Sequence, residues 1–433
     1  MSNRLDKTDF DIVVVGAGPA GSAVARITAK AGLNVLLLEE HSEVGFPVQC
    51  SGFVTERTLD EVGFGAQTLI RNEIRGATVH APGSTRVQLG GKETRAIALD
   101  RSALDQLLVS KAEQEGARVY LQTRLNDIQR EDNRLRVRLK QAKTSGDICF
   151  TTRLVIGADG WNSSVRRWMQ LPQIATIAAV SIDTTLQNDL NDMAQIFVGN
   201  QVAPGWFGWA IPLADGSNRI GIGCDPKHTN IKPRILLEQL LHLFPEQLTG
   251  AKMENFSGGF IPLYTNADHY RESISDNLML VGDAAGQVKP TSGGGIYTGL
   301  RAAESAAKVA IMAMNDGDFS SNSLRRYEYK WRDNLEDEFE RGGDVREMFL
   351  TLSDKQLQRV VQFLGLPGLR QIIDRYGDID YQSHVFAQLV RVAPTLKSML
   401  ALPSILPDRW IKMLANNSKD SGEKETEFTV LSR

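Results

Sequence analysis

The sequence has only three cysteines in 433 residues, Cys50, Cys149 and Cys224, and no two of them form a Cys-x-x-Cys. That excludes a disulfide framework or a cysteine zinc site as an organising feature. Its six histidines show neither HxxxH nor HExxH spacing, so no metal site is expected. The net charge of −3 lacks the basic excess of a nucleic-acid binder. No apolar run approaches the ~20 residues that span a bilayer. The opening MSNRLDKTDF carries no apolar signal region. These absences leave a cytoplasmic protein as the expectation, with peripheral contact at a membrane surface still open.

What is present is size and pattern. The chain is too long for one simple core, so two or three packed domains are expected. Apolar residues at 42% and charged residues at 23% are an ordinary globular balance. Phe10–Gly16 is a β-branched run, as in a strand buried on both faces. An Ala-rich helix over Pro19–Ala31 ends at Gly32, and Asn34–Glu40 reads as the next strand, which makes a βαβ unit. A helix over Arg101–Glu115 follows, then a strand from Ala117. Next come a hairpin with arms Arg134–Lys140 and Asp147–Thr151 and a further buried strand at RLVIGADG. Alternating segments from Ile174 to Phe260 predict an antiparallel sheet interrupted by a helix at Arg234–Phe244. Leu278–Gly286 returns to buried-strand character before a helix from Gly295 to Met314. The remainder reads as mostly helical, with a polar tail from Asn416.

Gly16-Ala17-Gly18-Pro19-Ala20-Gly21 is a GxGxxG that follows a strand and opens a helix. In that context Gly16 permits the tight turn, Gly18 admits a pyrophosphate to the backbone, and Gly21 lets the helix pack on the sheet. The helix N-terminus offers free N–H groups to phosphate. Glu39 ends the second strand, where a carboxylate accepts from ribose hydroxyls. Asp283 also follows a strand, and the glycine run Gly293-Gly294-Gly295 would let a flat ring approach the backbone at a helix start. The motif alone does not separate FAD from NAD.

Two later segments supply that distinction by resemblance. RLVIGADGWNSSVRR resembles the Asp-Gly segment of the aromatic-hydroxylase-type flavoproteins, carried by Asp159 and Gly160. LMLVGDAAGQVKPTSGGGI resembles their Gly-Asp segment, whose aspartate, here Asp283, binds the ribityl chain of FAD. Arg101 matches the arginine that opens the intervening helix. The resemblance also implies cofactor contacts from Ala20, Cys50, Ser51, Leu125 and Ile296. The fold class implied is α/β. It comprises a Rossmann-like FAD-binding domain (8–75, 97–172 and 272–318), an antiparallel-sheet substrate domain (76–96 and 173–271), a C-terminal helical region (319–415) and a disordered tail (416–433).

Within that superfamily the detail resembles the geranylgeranyl reductases. GFPVQCSGFV (Gly45–Val54) is similar to their cysteine loop, and PGWFGWAIP (Pro204–Pro212) to their Gly-aromatic-x-Trp-x-x-Pro stretch. The triple glycine is typical of them, and Gly286 stands where hydroxylases carry His. The resemblance implies reduction of carbon–carbon double bonds in a polyprenyl group, with NADPH or a small reduced carrier as the donor. On that resemblance the flavin would supply a hydride to one alkene carbon, and a proton would reach the other. It also implies an apolar tunnel, for which Trp206, Phe207 and Trp209 are candidate walls; ordinary sheet-core packing is the alternative. Cys50 is a candidate proton donor or flavin contact, against the commoner fate of a small buried hydrophobe. Tyr297 is a weaker acid candidate. The stretch Leu389–Leu414 mixes leucines with basic residues and Trp410, which fits either a membrane surface or a packed helical subdomain. Two other readings stay open. A flavin monooxygenase or halogenase is one, since Phe207–Pro212 nearly matches WxWxIP. A non-catalytic prenyl-binding escort protein is the other.

Overall fold

Phe10–Val15 is the central strand of the first sheet in the computed structural model, which describes residues 9–142, 146–187, 190–264, 272–386 and 388. It pairs in parallel with Val35–Leu38 on one side and with Asp147–Gly157 on the other. Arg118–Tyr120 extends the sheet beyond Val35–Leu38, and Leu278–Leu280 extends it beyond Asp147–Gly157, both in parallel. Side chains alternate between two layers. Ile12, Val14 and Leu37 face the helices Pro19–Lys30, Arg101–Gln114 and Ile296–Asp316. Val13, Val15, Leu36 and Leu38 face the antiparallel ribbon Thr123–Glu131 and Arg134–Gln141. This two-sided burial is why the strand sequences are continuously apolar.

One expectation is corrected here. The hairpin arm at Asp147–Thr151 and the buried strand at RLVIG are one strand, Asp147–Gly157. Its first half pairs antiparallel with Arg134–Gln141, and its second half joins the parallel sheet. The side-chain pattern changes from alternating to wholly buried along it because its neighbours change.

The second sheet has seven strands among the described residues, in the order Phe256–Pro262, Thr176–Thr185, Ser217–Cys224, Phe207–Pro212, Met193–Val198, Gly76–His80, Arg86–Gly90. All its pairings are antiparallel except that of Met193–Val198 with Gly76–His80. One face packs on the helix Pro233–Leu243 through Leu236, Leu237 and Leu240. The opposite face carries Trp206, Trp209, Ile177 and Ile211 and meets Phe53 and Ala98 of a small sheet beside the first domain.

The helix Ser321–Thr351 sends Trp331, Leu335 and Phe339 into the helix layer of the first sheet. The helix Pro367–Tyr376 lies on Arg86–Gly90, where Gly90 N donates to Asp374 at 2.9 Å. No described helix is long and apolar enough to cross a membrane. The amphipathic stretch Leu389–Leu414 and the tail from Asn416 lie outside the described residues.

Candidate flavin site

The strand register places the chemistry on one edge. Val15 aligns with Leu38 and Gly157, Gly157 aligns with Leu280, and Leu38 aligns with Tyr120, so all five parallel strands end together. Gly16, Glu39, Asp159 and Asp283 therefore emerge side by side at the carboxyl edge, where open α/β sheets bind ligands.

The three motif glycines have different neighbours. Gly16 has φ +99°, and a Cβ there would run into the Ala158 carbonyl. A Cβ on Gly21 would land on the Gly16 carbonyl oxygen. A Cβ on Gly18 would meet nothing within 4 Å. The outer two glycines are thus packing requirements, and the middle one marks the open side. Gly18 caps the helix Pro19–Lys30 without a side-chain acceptor, so the first N–H groups point to that open side uncapped. Ala20 sits against Gly282 and Gly299, which ties this turn to the Asp283 segment.

Each carboxylate on the edge has its own surroundings. Glu39 accepts from Ala17 N at 3.1 Å through one oxygen. Its other oxygen accepts from His41 N at 2.9 Å and pairs with His41 Nδ1 at 2.6 Å. It braces the glycine turn, and a ribose would share these oxygens. Asp159 is engaged by its own chain: it accepts from Ser163 Oγ at 2.5 Å, Ser164 N at 2.6 Å and Ser164 Oγ at 2.7 Å. This arrangement caps the short helix Ser164–Trp168, with Gly160 supplying the turn. Asp283 differs from both, because its carboxylate has no hydrogen-bond partner among the described residues. Burial pushes it up to about 6, against the opposing pull of Arg101. The turn that carries it is braced from behind. Gln287 Oε1 accepts from Gly282 N at 2.7 Å, and Tyr327 OH donates to the Leu280 carbonyl at 2.8 Å.

Arg101 opens the helix Arg101–Gln114 under an Asp100 cap. It pairs with Asp105 and faces Cys50. Burial pulls its pKa down, but Asp105 and Cys50 outweigh that and hold the guanidinium above its ordinary value. The cysteine loop lies between several elements. Gly45 packs on Ser102, Gln49 on Gly259, and the Ser51 carbonyl accepts from Arg219 at 2.9 Å. Arg219 is held in turn by both oxygens of Asp183, at 2.7 and 2.6 Å. Half-buried Cys50 thus sits close to both Arg101 and Arg219.

Gly293 meets the second sheet: a Cβ there would lie 3.1 Å from Ile261 and 3.3 Å from the Trp206 ring. Trp206 lies over Gly223 and Trp209 over Gly221, so each indole occupies the space that a neighbouring glycine leaves. Phe207 stacks on Trp206 with centroids 5.1 Å apart. Arg346 lies over Trp206 at 4.9 Å and donates to the Gly205 carbonyl and to Asp225, each at 2.8 Å. Gly295 adjoins Asp283, and Ile296 starts the next helix and packs on its core. Leu125 is a core side chain, leaving only its backbone for a ligand. Tyr297 is buried and hydrogen-bonds Tyr381 at 3.0 Å; burial, with that bond, pushes its hydroxyl pKa up.

No sequence motif singles out Arg219, Gln287 or Arg346. Arg219 and Arg346 find their partners across the fold, and only the alternating glycines of RIGIGC, opposite two tryptophans, give a local signal. Among the described residues no cluster of His, Cys, Asp and Glu could hold a metal.

The residues fit FAD. Gly18 leaves an open cradle at an uncapped helix start, and Asp283 is a carboxylate without a partner. Arg101 Nε and Ser292 Oγ are buried without hydrogen-bond partners among the described residues. Beside the open cradle at Gly18, these groups are placed to meet a polar cofactor.

Comparison with known proteins agrees. Residues 9–337 match the FAD binding domain family. The digeranylgeranylglycerophospholipid reductase of Methanothrix thermoacetophila is 31% identical over 81% of this chain and 90% of its own length. That of Methanosarcina acetivorans is 30% identical over 83% and 89%. The crystal structure of a geranylgeranyl bacteriochlorophyll reductase-like protein from Thermoplasma acidophilum superposes with a TM-score of 0.79 at 24% identity, covering 92% of this chain and 99% of that one. The last comparison shows a shared fold; the family match and the two sequence relatives carry the assignment. The chain belongs to the geranylgeranyl reductase family of FAD-dependent oxidoreductases.

Proposed function

We propose that this chain hydrogenates isolated carbon–carbon double bonds in a geranylgeranyl or related polyprenyl group on a lipid or pigment precursor. The observation that carries this reading is the contact of Gly293 with Trp206 and Ile261. It sets an aromatic, apolar wall directly against the loop where a flavin ring would lie. An unpolarised alkene offers no charge to grip, so positioning and exclusion of water must do the work. Bound FAD supplies a two-electron reductant at this wall.

The chain's own residues take the other roles. Gly16, Gly18, Gly21 and the helix they open would receive the pyrophosphate, and Glu39 the adenosine ribose. Asp283 would accept from the ribityl hydroxyls, with Arg101 beside it. Asp159 and Gly160 shape the adjoining turn. Gly293–Gly295 and Ile296 would carry the ring. Trp206, Phe207 and Trp209 would line the prenyl path. Cys50, beside Arg101 and Arg219, is the proposed proton donor. The proposed donor of electrons is NADPH or a small reduced carrier. The superfamily resemblance implies that a nicotinamide would visit a surface groove over the ring. Leu389–Leu414 is the proposed peripheral membrane contact that gives access to lipid.

The test is the reoxidation of anaerobically reduced protein. Geranylgeranyl lipid should restore the oxidised flavin absorbance without oxygen. Reoxidation that needs oxygen, with hydroxylation or halogenation of an aromatic substrate, would sink this reading in favour of a monooxygenase or halogenase. A colourless protein that still holds prenyl lipid would favour an escort role.

A further inference from the structure

Outside the residues placed above, buried charge concentrates at one point behind the glycine loop. Lys289 and Asp380 are 4% and 3% exposed. Lys289 Nζ donates to Asp380 Oδ1 and to the Ile379 carbonyl, both at 2.8 Å. The second Asp380 oxygen accepts from Thr55 Oγ1 and lies 3.8 Å from Arg57. Arg57 also pairs with Asp378 at 2.8 Å. Glu338, on the long helix, accepts from Ser383 N at 3.0 Å and completes the set of charged groups packed here. Lys289 is part of the glycine loop itself: its carbonyl accepts from Gly293 N at 2.9 Å. A Cβ on Gly294 would lie 3.0 Å from the ammonium nitrogen. The cation therefore sits immediately beneath Gly293–Gly295.

We propose that Lys289 and Asp380 together set the reduction potential of the bound flavin, Lys289 by placing a buried cation under the ring and Asp380 by attenuating it. The inference rests on the reading that the ring lies on Gly293–Gly295. Reduction adds negative charge to the ring system, and a fixed cation within a poorly solvated site stabilises that charge strongly. A carboxylate on the far side of the cation weakens the effect without abolishing it. A pair that merely anchored the C-terminal segment would have no preferred sign of effect on the flavin.

The experiment uses the full-length, FAD-loaded protein, with the midpoint potential measured by dye-coupled reduction. Sulfite, which binds oxidised flavin as an anion, gives a second readout through the loss of flavin absorbance. Asp380→Asn should tighten sulfite binding about tenfold. It should also raise the potential by about 30 mV, the two-electron equivalent of that factor. Lys289→Met should shift both readouts by similar amounts in the opposite direction. Lys289→Gln, which retains a donor for the Ile379 carbonyl, serves where Lys289→Met does not fold. The double variant should return close to wild type, and Lys289→Arg should match it. Shifts in the same direction for Asp380→Asn and Lys289→Met, or none in either with FAD bound, would overturn the proposal and leave the pair an anchor. A wild-type protein that binds no FAD would instead overturn the underlying placement of the ring.

Discussion

Replacing Asp283 with Asn should make the flavin-free protein more stable while weakening its hold on FAD. The carboxyl moves from an ordinary 3.8 to about 6 because it is desolvated and lacks a hydrogen-bond donor. Holding it ionised at neutral pH therefore costs the folded state at most about 3 kcal/mol. Asn is nearly the same shape and carries no charge, so it removes that term. For a chain of this size about 3 kcal/mol corresponds to a rise of about 3 °C in Tm. The sign with pH follows from linkage. The folded carboxyl binds its proton more tightly than the unfolded one, so wild-type stability falls as pH rises from about 4 to about 6, then levels. The gain from Asn should be about one fifth developed at pH 4, about half at pH 5 and complete at pH 7.5. Urea denaturation of the flavin-free protein at those three pH values measures it. Saturating FAD should reverse the order, because the wild type then gains binding energy that the variant has lost. A variant no more stable than wild type at pH 7.5, or a gain independent of pH, would refute the argument.

Four further perturbations separate roles. Gly21→Ala forces a methyl onto the Gly16 carbonyl and should destabilise the protein by about 1–3 kcal/mol in urea, with loss of flavin absorbance. Gly18→Ala has open space and should leave flavin-free stability within about 1 kcal/mol while weakening FAD in a fluorescence titration. Cys50→Ala should keep the flavin spectrum yet lower alkene turnover at least about 100-fold if its thiol delivers the proton; a loss of only a few-fold would make it a contact. Arg346→Met strands Asp225 and removes the cation from Trp206, and should lower stability by about 3–5 kcal/mol in denaturant titration.

Local pattern carried much of the fold. The βαβ unit was legible because strands buried on both faces cannot hide their composition, and its glycines are forced by backbone approach at Gly16 and Gly21. The strand Asp147–Gly157 was read as two because its burial pattern changes where its neighbours change. The Arg101 and Asp283 neighbourhood was reachable through resemblance, since each residue lies in a contiguous motif. The Lys289–Asp380 pair was not, because its members are 91 residues apart and each in isolation reads as a surface charge. Arg346 and Arg219 were missed for the same reason: their partners lie 121 and 36 positions away. Asp159 shows a further limit. The motif located it correctly on the strand edge, but its carboxylate is taken up by the Ser163–Ser164 turn, which sequence alone does not reveal.

The central claim, that an FAD-dependent oxidoreductase of this fold hydrogenates polyprenyl double bonds, meets its most direct test in product mass. Reduced protein would be incubated without oxygen with geranylgeranyl glycerolipid and with a geranylgeranyl pigment precursor, and the lipids analysed by mass spectrometry. The account predicts a gain of two mass units for each double bond reduced in at least one substrate, abolished with Asp283→Asn at limiting FAD. Flavin that is bound and reducible, with no mass gain in either substrate, would contradict it.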